Sequence, residues 1–346
     1  MTYVLSNLDF EYTWGRWESS VHGEVPKKVL AVARRWEAVL RLVAPGAQVL
    51  GVEAARGDGF PHRAQGRRFV AWGWTPPVVD AAKKSGLRVD APPLEVVRRV
   101  NSKVFSHRLE RRLDIHLPGA RLVQNAPDLD AALRRLDGPW LLKHPWGVSG
   151  RRQRRGMSYP PSQKVRQWAK AQFRRGLSLV VEPLLDVGRE FSFHYDITAA
   201  GEVEFVGLCR LLTGRRGTFR GILCGGELDV AAELLEKAGL AAREVADEGY
   251  FGPLGIDAMV GMLGNEEVLR PVTEINARYS FGRLALALRD RLGAGDGVLR
   301  WEHPAHSESA PATLQPWPEG WTEGRFLLPA DVDPHARSGT WVELGG

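Results

Sequence analysis

The sequence predicts an α/β chain with a parallel sheet in its first part and a long-stranded hairpin in its second, and three observations carry this reading. Over residues 1–92, strand-like apolar runs alternate with helix-length segments, the spacing that produces parallel sheets. Residues 189–196 alternate polar and apolar throughout, which puts Glu190, Ser192, His194 and Asp196 on one face of a strand and Phe191, Phe193 and Tyr195 on the other. Residues 252–260 and 272–278 alternate in the same way around a Gly264-Asn265 turn signal, so they fold back as neighbours.

Taken in order, residues 2–8 open with an apolar run, and a helical pattern starts near Pro26 and continues through 34–43. Residues 48–52 and 69–72 read as strands, and Pro76-Pro77 opens a helix that stops at Ser85-Gly86. No Gly-x-Gly-x-x-Gly follows the first strand, so no dinucleotide is assigned to this part. Trp14, Trp17, Trp72 and Trp74 are dense here, with core packing and a binding surface both open. Past the boundary at Ala91-Pro-Pro93, residues 94–113 read as one helix with Lys103 in its middle. A strand at 121–124 and a helix at 128–136, capped by Pro127-Asp128, lead to a buried strand at 140–143. Residues 162–175 read as a helix, and 177–185 as an apolar strand interrupted by Glu182 and ended by Pro183. Strands at 202–212 and 217–223 and an amphipathic helix at 228–247 precede the hairpin, and a helix at 284–292 covers the sheet. From Glu302 the composition turns to Pro, Ser and Gly, so residues 303–346 read as an irregular tail or a small appendage.

The 346 residues leave room for about two or three domains. Two cysteines, Cys209 and Cys224, are too few for a disulfide framework and lack metal-ligand spacing. No apolar run reaches the roughly 18 residues of a membrane span, and the N-terminus lacks the basic start of a signal peptide. The expectation is a soluble, cytoplasmic protein without a membrane partner. The net charge of +6 invites a nucleic acid, but the one dense basic run, residues 151–155, has no zinc-finger or RNA-binding signature beside it. A small anionic ligand such as a nucleotide fits better. His303 and His306 lack further ligands nearby, which argues against a metal there.

The hairpin carries the chemistry. Pairing its strands brings Asp257 beside Glu274 and Asn276, an all-oxygen set suited to Mg2+ or Mn2+, with Arg278 further along the same face in reach of a phosphoryl group. A sheet with a merely polar solvent face is the competing reading. Lys143 ends a strand in a chain of nine lysines and 38 arginines, where an ammonium suits phosphate oxygens or snorkels to solvent. The loop 147–156 after it lacks the P-loop order but has glycines and backbone donors that could close over phosphates. Glu182 at its bend is placed to read an adenine amino group and Glu190 to accept ribose hydroxyls, or both are ordinary sheet-face charge.

Lys103, Lys143, the glycine loop, Glu182, Glu190, Asp257, Glu274, Asn276 and Arg278, in this order, resemble the ATP-grasp superfamily of carboxylate–amine ligases over roughly residues 1–292. The most specific piece is Thr273-Glu-Ile-Asn-Ala-Arg278, which looks like the family's Glu-x-Asn-x-Arg strand. The resemblance implies an ATP-grasp fold of α/β and α+β parts: a Rossmann-like pre-ATP-grasp domain at 1–92, a small lobe with lid loop and hinge at 93–186, and a C-terminal lobe with the metal site at 187–302. It implies that Lys103, Lys143, Gly147, Ser149, Gly150, Glu182 and Glu190 contact ATP, that Asp257, Glu274 and Asn276 hold Mg2+ or Mn2+, and that Arg278 and Lys143 act in catalysis. Asp257 departs from the pattern, since many relatives carry Glu. The implied activity joins a small-molecule or peptide carboxylate to an amine through an acylphosphate, with a homodimer allowed. A kinase-like phosphotransferase and a non-catalytic ATP-binding module are the alternatives on the same fold.

Overall fold

The computed structural model describes residues 1–19, 46–52, 64–147, 152–214, 218–302, 318–327 and 341–345, together with 30, 37, 40, 41, 43, 44, 54 and 59–61. Among them lie three sheets. The first is four-stranded and parallel, in the order β2-β1-β3-β4, from β1 (Thr2–Leu5), β2 (Gln48–Leu50), β3 (Arg68–Ala71) and β4 (Arg88–Val89). Helix α1 (Phe10–Ser19), which the sequence reading did not anticipate, follows β1, and α2 (Pro76–Lys84) starts on its two prolines as expected. The helix expected from Pro26 falls mostly outside the described residues. Trp14 is core: its indole N–H donates to Trp74 O at 3.2 Å and its ring stacks on Trp146 with centroids 6.4 Å apart.

The single helix expected over 94–113 is two, α3 (Leu94–Val100) and α4 (Lys103–Arg112). The break has a chemical cause, because Asn and Ser side chains compete for backbone groups. Asn101 donates to Val97 O at 2.7 Å and accepts from Ala277 N at 2.9 Å, while Ser102 caps α4 by accepting from Val104 N at 3.2 Å. Lys103 therefore opens a helix instead of sitting inside one, and Asn101 ties that helix start to the end of the hairpin.

The second sheet runs β5-β8-β6-β7, with every pair antiparallel, from β5 (Arg121–Val123), β6 (Trp140–Lys143), β7 (Gln153–Gly156) and β8 (Leu179–Pro183). Helices α5 (Ala126–Arg135) and α6 (Gln163–Phe173) pack on it around Leu133, Trp140, Leu142 and Val181. The cap of α5 is Asn125, which accepts from Asp128 N at 2.8 Å, and not the Pro127-Asp128 pair.

The third sheet has eight strands in the order β13-β12-β9-β10-β11-β14-β16-β15. Its strands are β9 (Asp186–Ile197), β10 (Val203–Gly214), β11 (Thr218–Cys224), β12 (Gly252–Leu263), β13 (Glu266–Asn276), β14 (Val298–Glu302), β15 (Gly324–Leu327) and β16 (Trp341–Gly345). Helix α7 (Ala232–Asp247) delivers the chain to β12, and buries Leu234, Ala238 and Ala242 in the core that holds Phe191, Phe193 and Tyr195. Helix α8 (Phe281–Arg291) lies on the opposite face, so close that a Cβ on Gly282 would stand 2.2 Å from His194 Nε2. Cys209 and Cys224 face each other across β10 and β11 as buried free thiols. Among the described residues no helix is long and apolar enough to cross a membrane.

The tail is not wholly irregular. Strands β15 and β16 extend the large sheet, because residues 341–345 alternate and bury Val342 and Leu344, a short period-two signal that the surrounding Pro and Gly composition hid. Leu344→Ala should therefore lower unfolding free energy by about 2–3 kcal/mol in a urea titration, the usual cost of emptying a buried leucine site. A change below about 0.5 kcal/mol would mean that β16 does not belong to the cooperative fold.

Candidate active site

Strand β12 lies between β13 and β9, and its register decides which side chains meet. Asp257 pairs with Glu274 on one side and with Ser192 on the other. Ser192 Oγ donates to Asp257 Oδ1 at 2.7 Å, and Asn276 Nδ2 donates to Asp257 Oδ2 at 3.0 Å. Glu274 accepts from Lys103 Nζ at 2.9 Å, and the same ammonium donates to Gly147 O at 2.9 Å. The expected convergence of Asp257, Glu274 and Asn276 is thus present, and α4 adds Lys103 to it. Burial, reinforced by the neighbouring Glu274 charge, raises the Asp257 carboxyl from 3.8 to about 7, against the Ser192 hydrogen bond.

Lys143 ends β6 with Nζ 2.5 Å from Glu182 Oε1 on β8. Glu182 also takes both Nη groups of Arg270 at 2.8 Å, and Arg270 continues to Glu110 of α4 through Nε at 2.9 Å and Nη2 at 3.3 Å. Burial would raise the Glu182 carboxyl, but Arg270 and Lys143 overcome it and hold it at about 2. Burial, with Arg270 nearby, lowers the Lys143 ammonium, while Glu182 opposes the shift. Burial raises the Glu110 carboxyl against the pull of Arg270. The Glu182 carboxylate is consequently spent on two cations. It does not stand free for an adenine amino group.

Arg270 and Glu110 were not anticipated. One signal for Arg270 was available, since it shares its parity along the strand with Glu274 and Asn276. Glu190 accepts from Thr213 of β10 and is raised by burial against that hydrogen bond. Arg278 donates through Nε to Glu11 Oε1 at 2.6 Å, through Nη1 to Tyr279 O at 2.8 Å and through Nη2 to Asn276 Oδ1 at 2.7 Å. Glu11, on α1, is 267 positions away in sequence, and no local pattern marks it. Ser149 and Gly150 lie outside the described residues.

These side chains line one cleft of about 940 Å³, at the upper end of the roughly 300–1,000 Å³ usual for small-molecule sites. Lys103, Lys143, Glu182, Glu190, Asp257, Glu274, Asn276 and Arg278 all face it, and Leu141, Leu184 and Met259 give it an apolar wall near Lys143. Among the described residues no group of three His, Cys, Asp or Glu that could hold a metal ion occurs, but the all-oxygen donor set of Asp257, Glu274 and Asn276 has the chemistry that suits a hard divalent cation. Two carboxylates and an amide leave positions for water and phosphate oxygens, as Mg2+ prefers. Asn276 turns its nitrogen to Asp257, so its amide must flip to offer oxygen to a cation there.

The chain has the ATP-grasp fold, with α/β and mixed parts, as its likeness to solved structures shows. No family model and no curated protein matches its sequence. Solved structures do. Biotin carboxylase from Campylobacter jejuni, in a β,γ-ATP complex, is similar with a TM-score of 0.63 at 13% identity, covering 99% of this chain and 87% of that one. N5-carboxyaminoimidazole ribonucleotide synthetase from Thermus thermophilus gives 0.54 at 17% identity, covering 99% and 93%. The biotin carboxylase domain of the Hydrogenobacter thermophilus 2-oxoglutarate carboxylase, with MgADP, ADP and bicarbonate, gives 0.56 at 13%, covering 99% and 85%.

Replacing Arg270 with methionine leaves Glu110 buried without its partner and Glu182 with Lys143 alone, and should cost about 3–5 kcal/mol in chemical denaturation. Loss of less than about 1 kcal/mol would show that the network does not hold the two sheets together.

The raised Asp257 carboxyl gives a signed pH dependence. In metal-free protein its stabilising contribution is complete below 3.8 and is lost as pH rises through about 7, because the unfolded chain ionises first. Asp257→Asn removes that loss, so its melting temperature relative to the parent should climb between pH 4 and pH 7 and level off above. A pH-independent difference in thermal melts would contradict the assignment.

Proposed function

We propose that this protein is an ATP- and Mg2+-dependent carboxylate–amine ligase that forms an amide or peptide bond through an acylphosphate and releases ADP and phosphate. The observation that carries the reading is the convergence of Lys103, Lys143, Asp257, Glu274, Asn276 and Arg278 on one cleft. Likeness in fold to enzymes solved with ATP or ADP supports it.

In this reading the nucleotide base lies on the wall of Leu141, Leu184 and Met259, with Glu190 accepting from the ribose. Lys143 and Lys103 hold phosphate oxygens, assisted by Gly147, Ser149 and Gly150 of the loop. Glu182, kept ionised by Arg270, positions the Lys143 ammonium. Asp257, Glu274 and Asn276 would hold Mg2+, which supplies neutralisation of the β- and γ-phosphate oxygens. A substrate carboxylate attacks the γ-phosphorus, and Arg278 offsets the charge on the transferring group. The amine then displaces phosphate from the acylphosphate, with water excluded by closure of the loop over the cleft.

Glu274→Gln tests the assignment. It weakens the bond to Lys103, so a modest fall in the melting temperature of free protein is expected. The informative readouts are ligand-dependent: the thermal stabilisation given by Mg·ATP should vanish, and carboxylate-dependent ADP formation should drop at least about 10²-fold. Near-normal turnover at saturating Mg2+ would remove Glu274 from the mechanism.

A further inference from the structure

The cleft has a second apolar region that the nucleotide does not account for. Trp72, Phe219 and Phe281 all line it, on three separate elements: the segment after β3, β11, and the first turn of α8. Phe281 is the hub, with its ring 5.3 Å from Trp72 and 5.5 Å from Phe219, the latter pair stacked at an interplanar angle of 26°. Trp301, fully buried on β14, backs the cluster at 6.3 Å. Trp72 is buried, but Phe219 and Phe281 keep part of their surface open to the cleft. Leu211 and Ile222 continue this wall.

Its position relative to Arg278 gives it meaning. Phe281 follows Arg278 by three residues, and the intervening Tyr279 N donates to Trp72 O at 2.9 Å, so two of the rings are fixed against the arginine's own backbone. Arg278 donates to the carboxylate of Glu11 on the cleft side of α1, so a substrate carboxylate would bind there by taking the place of Glu11. Aromatic surface left open to water in the cleft is unfavourable. A ligand with an apolar body recovers that cost, and one that is only polar does not.

We propose that this wall is the side-chain subsite of the acid substrate, and that the substrate class is carboxylic acids bearing an aromatic or large branched apolar group, with the carboxylate directed to Arg278. This rests on the ligase reading and narrows it. Small acids such as bicarbonate, acetate or alanine leave the rings uncovered, and dicarboxylic acids place a second charge on them.

The test uses the full chain with Mg·ATP and hydroxylamine, which traps an acylphosphate as hydroxamate, across acetate, bicarbonate, alanine, succinate, leucine, phenylalanine and 3-phenylpropanoate. The aromatic and branched acids should exceed the others in kcat/KM by at least about tenfold. Phe219→Ala should raise KM for these acids about tenfold with the KM for ATP unchanged, and Phe281→Leu, which keeps the packing against Trp301, should do so more for aromatic than for branched acids. Acid binding is also measured by calorimetry on protein saturated with Mg·ADP. Apolar acids that bind but give no ADP would count against ligase chemistry and leave the subsite standing. A preference for small or dicarboxylic acids, an equal effect of Phe219→Ala on all acids, or no binding of apolar acids would overturn the subsite.

Discussion

The structure depends on a buried group of four charges: Glu110, Glu182, Lys143 and Arg270. They come from α4, β8, β6 and β13, and therefore from both antiparallel sheets and the helix between them. Two carboxylates and two cations cancel, which is the condition for burying charge at all. Arg270 is indispensable to the arrangement because its planar fork meets two carboxylates at once, with four hydrogen bonds between 2.8 and 3.3 Å. A lysine has neither the fork nor the reach. The network trades some stability, relative to an apolar filling, for a fixed position of the Lys143 ammonium at the cleft floor.

Above that floor Lys103, Arg278 and Asp257 each have an internal partner. Lys103 is held by Glu274, Arg278 by Glu11 and Asn276, and Asp257 by Ser192 and Asn276. A nucleotide with its cation would enter by exchanging bonds, phosphate for Glu274 on Lys103 and cation for amide on Asp257. The exchange favours a ligand that brings both signs of charge together. Phosphate alone would leave Glu274 and Asp257 as unrelieved neighbours, and a cation alone would strand Lys103.

The strand face of this site was legible in the sequence because period-two alternation survives inspection residue by residue. Glu190 and Ser192 on β9, and Asp257, Glu274 and Asn276 on the hairpin, share one surface as their parity required. What alternation could not supply is which partner each group has. Glu11 reaches Arg278 across 267 positions and Arg270 reaches Glu110 across 160, separations at which no local pattern operates. The same limit explains Glu182, whose position at a bend was evident but whose oxygens were already engaged by residues from other elements. The break between α3 and α4 was legible in principle, since Asn101-Ser102 is a capping pair, yet apolar periodicity on both sides masked it. Strand β16 was hidden by composition in a similar way.

Division of labour along the cleft follows from where each part of the chain is anchored. Apart from Lys103 on α4 and the loop after β6, the groups proposed for nucleotide and metal sit on or beside β6, β9, β12 and β13, paired strands whose hydrogen bonds hold their backbone in place. The groups beyond Arg278 have different supports. Glu11 stands on α1, Trp72 on the segment after β3, and Asn7 beside them grips Gly73 through its side chain at 2.7 and 3.3 Å. Those residues belong to the parallel sheet's surroundings and meet the hairpin end through Tyr279 and Arg278, and α8 through the Trp72–Phe281 ring contact. Substitution there changes the shape and charge of the far end of the cleft without disturbing the ladder that carries Asp257 and Glu274. Under the proposed function, the wall proposed for the acid is shared between the large sheet's side, through Phe219 and Phe281, and the first sheet's side, through Trp72.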